Sequence, residues 1–119
     1  MPATIKVAEA TQRTQASLRC AIVAVAVERY RVKHEAWPRG FDDLLQDKLL
    51  SEIPKDPYDG KLLRFKKTPT GIIIYSVGFD KIDNQGKLGA NYRTPDTDIG
   101  IELWDPRLRA IAAPAEEEK

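Results

Sequence analysis

Residues 4–35 contain neither glycine nor proline and are rich in Ala, Arg, Gln and Glu, so the summed propensity predicts one continuous helix of about that span. Ala16, Cys20, Val23, Val27, Tyr30 and His34 follow one another at alternating steps of four and three and form an apolar stripe. Leu18, Ile22, Val25 and Val32 form a second stripe beside it. Together they predict an apolar face that is wide in the middle of the helix, the shape that suits a helix lying across a sheet. The amino-terminal part, residues 3–19, offers only Ile5, Val7 and Leu18 as large apolar residues, among Lys6, Glu9, Gln12, Arg13 and Gln15. That half is expected to project from the domain or to pack on another chain.

The sheet is read downstream. Residues 61–66 and 72–77 are short runs enriched in β-branched and aromatic side chains, joined by Lys67-Thr68-Pro69-Thr70-Gly71, and predict a β-hairpin with a loop longer than two residues. Successive strand side chains point to opposite faces, so Leu63 and Phe65 share a face within the first run, and Ile73, Tyr75 and Val77 share a face within the second. A third strand is predicted where Ile99, Ile101 and Leu103 alternate with Gly100, Glu102 and Trp104. Trp37-Pro38-Arg39-Gly40 stops the long helix, and Phe41, Leu44, Leu45 and Leu49 at helical spacing predict a short second one. The expected fold class is therefore α+β: a long helix packing Val23, Val27 and Tyr30 on a small antiparallel sheet of about three strands. Leu63, Phe65, Ile73, Tyr75, Ile101 and Leu103 are the expected sheet side of that core. Residues 1–110 read as one domain, and residues 111–119, ending Glu116-Glu117-Glu118-Lys119, as a patternless acidic tail expected to be disordered.

Composition removes several classes of function. With 19 basic and 18 acidic residues the net charge is +1, so the electrostatic case for a nucleic-acid or membrane-surface binder is missing. The most apolar run, residues 21–27, is far short of the roughly 20 residues that cross a bilayer, and no signal-peptide pattern follows Met1. The one cysteine, Cys20, cannot form an intramolecular disulfide. Cys20 and His34 share a helix stripe but lie ~21 Å apart along its axis. A nucleophile and its base need ~2.6–3.2 Å. Ser76 has no Gly-x-Ser-x-Gly elbow. No catalytic set assembles, and the chain is not expected to be an enzyme. Lys61, Arg64, Lys66 and Lys67 read as a solvated stripe that protects a strand edge.

Several short motifs occur in a telling order: Tyr30 to Trp37-Pro38 at the helix end, Ile53-Pro54-Lys55-Asp56-Pro57-Tyr58-Asp59-Gly60, Ile74-Tyr75-Ser76-Val77-Gly78-Phe79-Asp80, and Asp96-Thr97-Asp98-Ile99. In that order they resemble the soluble part of a type II secretion major pseudopilin of the G type, in the type IV pilin-like superfamily, over about residues 18–104. The resemblance implies a pilin-like fold and a structural role, packing into a periplasmic fibre through the helix, with other pseudopilin or membrane-complex subunits as partners and self-association through the amino-terminal helix. It places the chain on the periplasmic or extracytoplasmic face of a bacterial inner membrane, tied to the membrane only through the family's amino-terminal apolar segment, which no stretch of this sequence matches. The same fold also serves as an extracytoplasmic interaction domain of larger membrane proteins, without forming fibres.

The family's loop binds calcium, and Asp80 and Asp98 are the positions that match its carboxylate ligands. Asp83, Asn84 and Asp96 add oxygens in the same stretch, and calcium takes six to eight of them. Here Lys81 and Lys87 bring positive charge where the family's loop is glycine-rich and acidic. The alternative for all five residues is that they make turns and caps.

Overall fold

In the computed structural model, residues 3–78, 81–89 and 97–106 are described, with helix side chains from residue 7 onward. Helix α1, Ala3–His34, is unbroken over 32 residues, about 48 Å at 1.5 Å per residue. Its last turn carries Arg31, Lys33 and His34, cationic side chains at the negative end of the helix dipole. Glu35 then turns left-handed (φ 57°) and returns its N–H to the Arg31 carbonyl at 2.8 Å. Helix α2, Phe41–Gln46, is the short second helix. It closes with a lysine where glycine is usual: Lys48 sits at φ 59°, its N–H donates to the Leu45 carbonyl and that of Leu49 to Leu44. That closure brings Leu49 back against the core.

Strands β1 (Arg64–Thr68), β2 (Gly71–Ser76) and β3 (Ile99–Trp104) form one antiparallel sheet in that order. The α+β class read from the sequence is what the structure has. The hairpin is tighter than predicted: Thr68 pairs with Gly71, leaving only Pro69 and Thr70 between the strands. This sets Phe65 opposite Ile74, and Ile74 opposite Ile101. The helix-facing side of β2 is therefore Ile72 and Ile74, both fully buried, not the predicted Ile73 and Tyr75. Three consecutive isoleucines are apolar on both faces, so alternation cannot orient them, and one residue of turn length flips every side chain. Ile73 and Tyr75 instead lie under the 81–89 segment, where Gly86 approaches both side chains. Close strand approach also demands glycine at position 100, where an added Cβ would stand 2.2 Å from the Ile74 carbonyl oxygen.

α1 lays Cys20, Val23, Ala24 and Val27 on Leu63, Ile72 and Ile74, with Phe65, Ile101, Leu103 and Tyr30 packed around them. Leu44 closes this core from α2, and the Phe41 ring meets Phe65 edge-on at 5.6 Å. Ala16, Tyr58 and Val77 form a second cluster with Ile99. The helix is held from Gln12 onward, whose amide donates to the Pro57 carbonyl at 2.9 Å.

The predicted wide face is narrow. Leu18, Ile22, Val25 and Val32, expected beside the core stripe, are 59, 47, 60 and 69% exposed. At about 100° per residue they fall roughly opposite Cys20, Val23 and Val27, and three short strands cover one side of a helix only. The side chain of Ile5, Phe79, Asp80, Asp96 and the 111–119 tail lie outside the described residues.

Candidate functional site

The Pro54–Gly60 turn is organised by a carboxylate that carried no assignment in the sequence reading. Asp56 is fully buried. Its Oδ1 accepts from the Tyr58 N–H at 2.9 Å and the Ser76 hydroxyl at 2.8 Å; its Oδ2 accepts from the Val77 N–H and from Arg64 Nη1, each at 2.8 Å. The other Arg64 nitrogen donates to Asp59, whose carboxyl this guanidinium holds below its ordinary value. The Asp56 backbone also closes the turn, donating to the Lys61 carbonyl and accepting from the Gly60 N–H. Four donors on two oxygens leave this carboxylate chemically occupied; it is a pin joining the turn to the end of β2. Asp-Pro-Tyr-Asp-Gly signals a turn in the sequence, but the burial follows only once Ser76 and Val77 arrive from β2.

The loop implicated in calcium is built around Asp98, buried at the start of β3. Its two oxygens accept the Asn84 N–H at 3.2 and 3.1 Å, and Oδ2 also accepts the Gly86 N–H at 2.8 Å. Burial pushes the Asp98 carboxyl above its ordinary value, opposed by those amides and reinforced by the charge of Asp83. Asp83 Oδ1 accepts from the Tyr75 hydroxyl at 2.9 Å and from the Gln85 N–H at 2.8 Å. The Asn84 side-chain amide donates to the Ile82 carbonyl at 3.2 Å. Asp80 and Asp96 are outside the described residues. Among the described residues the carboxylates meet N–H and O–H donors, and no three His, Cys, Asp or Glu side chains are grouped to hold a metal. Asp83, Asn84 and Asp98 by themselves offer fewer side-chain oxygens than a cation shell of six to eight takes. Thermal melts in millimolar calcium and in chelator decide between the two readings: a site filled at a hundred times its Kd would add ~2.7 kcal/mol, and coinciding melts would leave these residues as turn and cap formers.

The outer face of α1 is the largest feature that neither core nor loop uses. Val7, 64% exposed, lies on it with Leu18, Ile22, Val25 and Val32, and all five recur at sums of three- and four-residue steps, so they line one side of the helix. Apolar rows at that spacing are what one helix presents to another. Where α1 passes α2 and β3, this face drops into an open groove floored by Ala24, Val25, Val32, Leu49 and Leu103. No helix among the described residues is long and apolar enough to cross a membrane.

Cys20, on the inner face, is buried with its Sγ 4.0 Å from the Ile99 carbonyl oxygen. Burial pushes the thiol up to about 12, with the charge of Asp56 adding to the rise. A thiol reagent at pH 8 is expected to leave native protein unlabelled and to titrate one thiol in denaturant; rapid native labelling would show that α1 lifts from the sheet. Comparison with known protein families, curated proteins and solved structures returns no match to this chain.

Proposed function

We propose that this chain is a structural subunit of a pseudopilin-like assembly, in which the outer face of α1 packs against the helix of a neighbouring subunit. The observation that carries this reading is the row Val7, Leu18, Ile22, Val25 and Val32, exposed along a helix that already has a complete core on its other side. A monomer gains nothing from five aliphatic side chains in water, whereas burying each is worth ~1.5–3 kcal/mol when fully covered. The motif order from Trp37-Pro38 to Asp98-Ile99 supplies the assembly class and, with it, the extracytoplasmic side of a bacterial inner membrane. The domain then works as a rigid carrier: Asp56 and Asp98 lock the loops, and the sheet holds α1 straight along the seam.

Site-directed cross-linking tests the seam directly, because Cys20 is sheltered and does not interfere. Ile22→Cys is expected to form disulfide-linked dimers on mild oxidation, while Lys67→Cys, exposed on β1, stays monomeric. Equal cross-linking at both positions would reduce the seam to random encounter.

A further inference from the structure

The outer face of α1 changes character along its length. Between Val7 and Ile22 its exposed positions carry no charge, with Thr11, Thr14, Gln15 and Ser17 set among the aliphatic residues. Past Ile22 the face enters the groove, and there a cation stands on each wall: Arg29 on α1, and Lys48 in the closure of α2. The carboxylates of the same rim are committed, Asp47 to Lys33 and His34 at 3.1 and 3.2 Å and Glu28 to Arg31 at 2.9 Å. Arg29 and Lys48 are exposed and enter no ion pair among the described residues.

The dimensions suit a helix. From Ala24 to Val32 the floor is ~12 Å of α1 at 1.5 Å per residue, and Leu49 and Leu103 complete it. Aliphatic residues at i, i+3, i+4 and i+7 of an incoming helix cover ~10.5 Å, so one short apolar row fills the floor. The positions on either side of that row then meet Arg29 on one wall and Lys48 on the other, where carboxylates are attracted and ammonium groups repelled. A second copy of this chain does not bring such a helix. The exposed half of its α1 from Val7 to Ile22 has no carboxylate to offer, and its other half repeats the cations.

We propose that the groove end of this face takes an amphipathic helix of a different protein, one that carries aspartate or glutamate on both flanks of a short aliphatic row. Val7, Leu18 and Ile22 are left for a subunit of the same kind. The proposal rests on the subunit-packing reading, which gives the outer face to helices, and adds to it the chemistry of an unlike partner at one end.

Two synthetic helical peptides test it, alike in length and in a leucine row at i, i+3, i+4 and i+7, one flanked by glutamates and the other by lysines. Fluorescence anisotropy against the full chain at low ionic strength should show the glutamate peptide binding saturably and about fivefold tighter than the lysine peptide, or better. Arg29→Glu with Lys48→Glu, both at exposed positions, should reverse that preference with the thermal melt unchanged. Leu18→Glu with Ile22→Glu should bind the glutamate peptide as wild type does. Equal affinity for the two peptides, binding of neither, or a preference that survives the charge reversal would overturn the proposal, as would loss of binding in the Leu18→Glu, Ile22→Glu variant. A chain that prefers the glutamate peptide yet stays monomeric on its own would count against packing between like subunits and leave this partner standing, so the two failures are told apart.

Discussion

Asp56→Ala is expected to leave the domain largely unfolded at 25 °C. The substitution strips the acceptor from the Ser76 hydroxyl, from the Tyr58 and Val77 N–H groups and from Arg64 Nη1, all at 2.8–2.9 Å in the native protein. Each buried donor that loses its acceptor costs ~1–3 kcal/mol, and three are affected. A domain of this size has ~5–15 kcal/mol to lose. Arg64 keeps Asp59, so the damage falls mainly on the Ser76 hydroxyl and the Tyr58 and Val77 N–H groups. Asp56→Asn should be milder but still costly, because its amide presents hydrogens to two of the four donors. Asp59→Ala, at the rim of the same network, should cost about 1 kcal/mol or less. Urea unfolding followed by circular dichroism ranks the three; an Asp56→Ala midpoint near that of wild type would mean the turn is not pinned as described.

Val27→Asp is the second large effect, and its value lies in a matched control two residues away. Val27 is fully buried between α1 and the sheet, so an aspartate there buries a charge with no partner; the domain should fail to fold. Val25 is 60% exposed on the opposite side of the same helix. Val25→Asp should change stability by no more than ~0.5 kcal/mol, the range of ordinary surface substitutions. Helix propensity is altered equally in both, so a difference between them reports burial alone. If both variants unfold, the outer face is covered within the monomer and the seam does not exist.

The contrast between these two valines marks where the sequence was legible. The long helix, the short one, the three strands and the inner stripe Cys20–Val23–Val27 all follow from propensity and period. The outer stripe did not, because periodicity reports that a row is apolar without reporting whether three strands are wide enough to cover it. The facing of Ile73 and Ile74 was lost for a different reason: the run Ile72-Ile73-Ile74 is symmetric, and orientation came from a two-residue turn that the Thr-Pro-Thr-Gly stretch had suggested was longer. Asp56 was hidden because its burial is a tertiary fact, made by Ser76 and Val77 twenty residues on. Asp98 was visible as an acidic loop residue, but not as the acceptor for the Asn84 and Gly86 amides; hydrogen bonds to backbone carry no side-chain signature in sequence.

Fold and function meet at the outer face of α1, so the decisive measurement is the mass of the full chain in solution as concentration rises. Sedimentation velocity from micromolar to millimolar protein should show wild type shifting toward dimer or higher species. Leu18→Glu with Ile22→Glu should stay monomeric over the same range with an unchanged thermal melt. A wild type that remains monomeric throughout, or a double variant that associates as well as wild type, would contradict the assignment of this face to subunit packing.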